Sequence, residues 1–156
     1  MRTIILTKRE EMEQILLQSK ICYVGMITSE GEPYVLPMNF GYAEGTLYLH
    51  SAKEGKHIET LRHNSRVCVT ICPSAELKYQ SVDVACSYSM KTASVMCHGH
   101  VEFVEDNDQK TAAFDIIMKN YRERTFTYSA PALANVAVWK IKVEEMTAKS
   151  FGNKFK

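Results

Sequence analysis

Between residues 21 and 50 the chain joins three β-rich segments by connections too short to build a parallel sheet. Residues 21–29 (ICYVGMITS) run into the turn cluster Ser29-Glu30-Gly31-Glu32-Pro33. Residues 34–42 follow, Ala43-Glu44-Gly45-Thr46 turns the chain again, and residues 47–50 form the third segment. Parallel neighbours need a crossover of about a dozen residues or more, whereas strands joined by a tight turn pair antiparallel. These residues therefore predict an antiparallel meander, around which the rest of the chain must pack.

The flanking segments add few helices. Thr7 and Glu10 have the spacing of a capping box, with Met12, Ile15 and Leu16 behind them at helical spacing, so residues 7–20 predict a first helix. Ser51 and Glu54 repeat that spacing, with Ile58 and Leu61 on one helical face. Asn64 is expected to end this second helix in a left-handed conformation, with Arg62 and His63 in its last turn. Residues 66–72 (RVCVTIC) read as a fourth strand, 73–87 as irregular, and 92–105 as a long fifth strand. A helix over 107–121 turns Ala113, Phe114, Ile117 and Tyr121 inward. Residues 122–134 have no defined form, and 134–147 make the last strand, which carries Trp139. The resulting order, α-β-β-β-α-β-β-α-β, lacks βαβ alternation and argues against a doubly wound sheet. It predicts a mainly β chain, a six-stranded antiparallel barrel with peripheral helices.

Composition narrows the function. The 156 residues are 46% hydrophobic and 24% charged, which fits one globular domain over 1–156. Nineteen Lys and Arg against 18 Asp and Glu leave a net charge of +1. Such a chain has no global basic field for nucleic acid or an anionic membrane. No apolar run approaches the ~20 residues of a membrane span, and the first residues lack the pattern of a signal peptide, so a cytoplasmic protein is expected. The five cysteines are odd in number and form no CxxC pair. They read as free buried thiols in a reducing compartment.

Standard catalytic motifs are missing. There is no GxGxxG, HExxH or GxSxG, and Gly55-Lys56 is followed by His57 rather than the Ser or Thr of a P-loop. Cys68 and Cys72 would stand about 13 Å apart along a strand, too far to share an ion. His98 and His100 share a strand face about 7 Å apart, but no third ligand accompanies them, so no metal is expected. They read either as a metal-bridging pair or as polar residues facing solvent or a subunit interface. The densest signal is Leu47-Tyr48-Leu49-His50-Ser51-Ala52-Lys53-Glu54-Gly55-Lys56-His57, a strand running into a helix. Free amides at a helix N-terminus, with Lys56 beside them, favour a phosphate. Alternatively Ser51 only caps and Lys56 is solvated. Trp139 is either a core residue or a platform for an aromatic cofactor.

Three segments in order resemble the FMN-binding split-barrel superfamily, the fold of pyridoxamine 5′-phosphate oxidase. They are Tyr23-Val24-Gly25-Met26 through Gly31 to Phe40, the HSAxxGK core between Leu47 and His57, and Ser94-Val95-Met96-Cys97-His98-Gly99-His100-Val101. The resemblance covers residues 7–149 and looks closest to the 5-nitroimidazole antibiotic resistance branch. It implies a split β-barrel and a homodimer with FMN in clefts between subunits. Carried over, Pro37, Met38 and Asn39 lie along the flavin, and His50, Ser51 and Ala52 run past its ring and ribityl chain. Lys56, with His57, meets the phosphate, Ser94 and Val95 add contacts from the closing strand, and Trp139 flanks the ring, from either subunit. In that branch a histidine at the position of His50 lies beside the cofactor and is associated with catalysis. The chain departs from it at His57, where a second basic residue often follows the lysine.

An FMN-dependent oxidoreductase is therefore expected, taking electrons from NADH or NADPH to a small electron-poor substrate such as a nitroimidazole or nitroaromatic. The flavin would carry the redox chemistry, which accounts for the missing acid–base constellation. The alternative is a flavin- or haem-binding protein without turnover, in which His98 and His100 are candidate axial ligands. A structural dimer with no cofactor is the third reading.

Overall fold

The structure is a computed structural model and describes residues 3–152. Its elements run β1 (Thr3–Leu6), α1 (Arg9–Leu17), β2 (Cys22–Ile27), β3 (Pro33–Met38), β4 (Gly41–Ala43), β5 (Thr46–Ala52) and α2 (Lys56–His63). There follow β6 (Arg66–Ile71), β7 (Glu76–Lys78), a 3-10 turn (Ala85–Ser87), β8 (Ser89–Val104), α3 (Asn107–Lys119), α4 (Ala130–Ala134), β9 (Val136–Lys142) and β10 (Glu145–Phe151).

All strand pairs are antiparallel, and the ladder runs β3-β2-β6-β8-β9-β5-β4. Its two end strands, β3 and β4, are consecutive in the chain and joined only by Asn39 and Phe40. The sheet thus curls until its ends meet at that junction, which makes a barrel with one seam. Alternation drives the curl: Cys22, Val24 and Met26 are buried while Tyr23 and Ile27 face out. Phe40, Leu47, Leu49, Val69, Val95, Cys97, Trp139 and Ile141 fill the interior.

Strand β8 is the spine. Residues 95–100 pair with β6, 92–98 with β10, and 101–104 with β9. Where its partner changes, the amide of Glu144 donates to His98 O and that of Val143 to Gly45 O, each at 2.9 Å. Gly99 sits at this split, and a Cβ there would stand 2.6 Å from Lys142 O and 2.9 Å from Ile141 Cγ2. Only a residue without a side chain lets β8 serve both neighbours.

The mainly β barrel with peripheral helices matches the sequence expectation, but details differ. The described residues hold ten strands rather than six. The second predicted strand divides at the seam into β3 and β4, and the last divides at Val143-Glu144 into β9 and β10. Neither capping box forms: α1 starts after Lys8 and α2 after Gly55, with no side-chain cap at either. Ser51 fails as a cap because it is still in β5, hydrogen-bonded to Trp139. Asn64 is extended (φ −143°) instead of left-handed, and its side-chain oxygen accepts from the Arg66 amide. Of the cysteines only Cys22 and Cys97 are buried, their thiols pushed up to about 12 by burial, whereas Cys72 and Cys86 are exposed.

Gly99→Ala should destabilise the fold by about 1–3 kcal/mol, the usual range for forcing a methyl group into packed structure. Denaturant unfolding checks this, and an unchanged midpoint would contradict it.

Candidate functional site

A cleft of ≈ 260 Å³ opens at the seam, lined by Leu36, Pro37, Met38 and Asn39 from the end of β3, His50 and Ser51 from β5, and His57 from α2. The seam is clamped from α3. The Phe40 amide donates to Tyr121 Oη at 3.0 Å, and Tyr121 donates in turn to Lys20 O at 2.6 Å. Asn120 Nδ2 donates to Phe40 O at 3.0 Å and to Ser19 O at 3.2 Å. The backbone that leaves the ladder at Phe40 thus still has partners for its amide and carbonyl.

Opposite, β5 supplies both faces of its end. Leu47, Leu49 and Ser51 point inward, whereas Tyr48 and His50 point outward. Trp139 Nε1 donates to Ser51 Oγ at 3.0 Å, and Ser51 donates to Ala52 O at 2.8 Å. His57 stacks on the same indole with ring centres 5.9 Å apart, and its Nε2 lies 3.2 Å from Ala52 O. The indole therefore positions two residues of the cleft wall. It is itself completely buried. Within this chain it therefore meets the cleft through Ser51 and His57 rather than through an open face of its own.

The N-terminus of α2 meets the cleft at His57. Its N-cap is Gly55 at φ 119°, a left-handed conformation, and a Cβ there would come within 3.2 Å of the His57 ring. No side chain caps the first amides. Lys56 is the first residue of the helix, and its Nζ lies 4.7 Å from the centre of the Tyr34 ring in a cation–π contact. Uncapped amides, a helix dipole and a cation together suit an anionic group such as a phosphate.

His50 is half-buried, 5.2 Å from Phe114 between ring centres. Burial lowers its pKa below the ordinary histidine range, so the imidazole is neutral at neutral pH and offers one donor and one acceptor.

Pro37, Met38, Asn39, His50, Ser51 and His57 come together in one cleft, with Ala52 and Lys56 at its edge. Ser94 and Val95 do not join it within this chain. Val95 pairs with Ile71, Ile71 with Cys22 and Cys22 with Met38, so three ladder steps, roughly 14 Å, intervene. The Val95 side chain is in the core, whereas Ser94 faces outward. His98 and His100 also face outward, His98 Nε2 3.9 Å from Cys68 Sγ and His100 Nδ1 3.0 Å from Ser65 Oγ. Sequence reasoning did not find Leu36, Tyr34 under Lys56, or Phe114 against His50. Strand alternation put Tyr34, Leu36 and Met38 on one face, but the partners of that face come from elements far along the chain.

A family profile described as pyridoxamine 5′-phosphate oxidase matches residues 8–150. The chain belongs to the pyridoxamine 5′-phosphate oxidase family. It is also similar to a crystal structure from Bacteroides thetaiotaomicron, a protein provisionally named for 5-nitroimidazole antibiotic resistance. The two are 50% identical over 97% of this chain and 89% of the other, with a TM-score of 0.88. The flavocytochrome Anf3 of Azotobacter vinelandii shares the fold at 22% identity (TM-score 0.80, covering 96% and 70% of the two chains). So does an FAD and haem binding protein of Mycobacterium smegmatis at 16% identity (TM-score 0.83, 96% and 74%). No curated protein matches the chain. No helix among the described residues is long and apolar enough to cross a membrane.

Because burial lowers the His50 pKa, its protonation opposes folding. Its contribution to stability is whole above about pH 6.5, the ordinary histidine value, and is lost as pH falls through the lower folded value. His50→Gln should flatten the fall in stability as pH drops below about 6.5, read from unfolding midpoints. Equal slopes in the two proteins would contradict it.

Proposed function

We propose that the chain is an FMN-dependent oxidoreductase, a homodimer that passes electrons from NADH or NADPH to a small electron-poor substrate of nitroimidazole or nitroaromatic type. The uncapped N-terminus of α2, with Lys56 beside it and opening on the seam cleft, is the observation that carries this reading. The residues fit the cofactor. The α2 amides and Lys56 would hold its phosphate, His50, Ser51 and Ala52 would lie along its body, and Pro37 to Asn39 would form the opposite wall. Bound FMN supplies the hydride and electron transfer that no side chain here can perform.

His50, neutral at neutral pH, would hold a hydrogen bond to cofactor or substrate and deliver a proton as the substrate is reduced. Trp139 acts indirectly, by fixing Ser51 and His57. The 50% identical relative named for 5-nitroimidazole resistance supports the substrate class.

The outer face of the sheet supports the dimer. Around the cross-strand row Pro37-Tyr23-Thr70-Met96, the apolar side chains of Tyr23, Ile27, Val35 and Met96 are 40–57% exposed. A second copy would cover them and bring its own Ser94, from the same face, toward this cleft. The backbone near Val95, rather than its buried side chain, would accompany it.

The first test is an absorbance spectrum of the purified protein with added FMN, followed by anaerobic NADH and NADPH. Bound flavin that bleaches with either nicotinamide is the expected result. Flavin that stays oxidised with both leaves a binding protein without turnover, a Soret band moves the reading to haem with His98 and His100, and no binding refutes the cofactor. Lys56→Ala should weaken FMN about tenfold or more, the loss expected for a charge-assisted hydrogen bond. Val35→Asp should shift a dimer to monomer by light scattering; a wild-type monomer would refute the subunit arrangement.

A further inference from the structure

A second cavity lies on the far side of α2 from Lys56. It measures ≈ 240 Å³, is formed where α2, α3, β8 and β9 meet, and shares no lining residue with the seam cleft. At 100° per residue, Ile58 and Arg62 lie about 200–240° around the helix from Lys56, so the two sites use opposite faces of one helix. The cavity floor is apolar, with Ile58 and Val138 in the core. Its rim carries Lys53 and Arg62, with Lys110 on its buried side, against a single carboxylate, Glu105.

Lys110 is the unusual member. It is 3% exposed, and its Nζ donates to Leu133 O at 3.0 Å and Val136 O at 3.1 Å. An ammonium has three N–H donors, and the described residues offer this one no third acceptor. Lys53 and Arg62 likewise have no carboxylate within ion-pairing distance among the described residues, and neither does Lys110. Three unpaired cations converge on one concavity in a chain whose net charge is only +1. Mutual repulsion there costs free energy that a bound anion would recover.

We infer that this cavity binds a small phosphate-bearing molecule, distinct from any group held at the N-terminus of α2. The three cations less Glu105 leave two positive charges, matching a phosphate dianion. The donor of Lys110 would reach it from the buried side, and the Arg62 guanidinium would clamp it from the rim.

The test is calorimetric titration of the purified full chain with inorganic phosphate, with sodium chloride at matched ionic strength as the screening control. Expected in wild type, beside any phosphate held at the α2 N-terminus, is a saturable component that persists within about twofold in Lys56→Ala and that Arg62→Ala weakens at least about tenfold. Arg62 is exposed, and an unchanged unfolding midpoint will show that its replacement folds. Phosphate binding lost in Lys56→Ala but kept in Arg62→Ala belongs to the α2 N-terminus and overturns the inference. So does the absence of any saturable component beyond the chloride control.

Discussion

Everything at the seam depends on how α3 ends. A curled sheet whose two end strands are joined by two residues leaves those residues' backbone groups with no ladder partner. Here Asn120 and Tyr121 take over, closing Phe40 N–H and C=O and the carbonyls of Ser19 and Lys20 in one network. Leaving such groups buried and unpaired would cost about 1–3 kcal/mol each. The same clamp sets where β3 stops and β4 begins, and therefore how wide the cleft stands. Gly41 completes it, since a Cβ there would lie 2.6 Å from the Ile116 carbonyl, so α3 rests directly on the backbone of β4.

The cleft is built from the ends of elements rather than from their middles. β3 ends at Met38, β5 ends at Ala52, and α2 begins at Lys56. Each end exposes backbone groups or side chains that a continuing ladder would have consumed. Trp139 converts this loose geometry into a fixed one: a single buried indole donates to Ser51 and stacks on His57, holding strand end and helix start in register. Its position opposite Leu49 in the β5–β9 ladder shows why a core residue can govern a surface site.

Much of this was legible in the sequence because strand alternation and tight turns are local signals. The meander from Cys22 to Ala52, the long β8 and the 107–119 helix all follow from nearby residues, whereas the grouping of residues 37–39 with 50–57 came only from the family resemblance. Two of the failures share a cause: a distant partner outcompeted a local one. Ser51 had the spacing of a cap, but Trp139, 88 residues away, claimed its hydroxyl. The division of the last strand at Val143-Glu144 has no breaker in the sequence; it is imposed by Gly45 and His98 accepting those two amides. The fate of Trp139 itself could not be read, because a lone strand tryptophan looks the same whether a flavin or Phe103 lies beside it.

The pairing of β1 with β10 carries a consequence for biogenesis. Thr3 to Leu6 meet Ala148 to Phe151, so the first strand waits until about 140 more residues have been made before its partner exists. At roughly 5–20 residues per second that delay is on the order of ten seconds, far longer than hairpin formation. Throughout that interval Ile5, 72% exposed even in the folded chain, belongs to an edge with no strand to pair with.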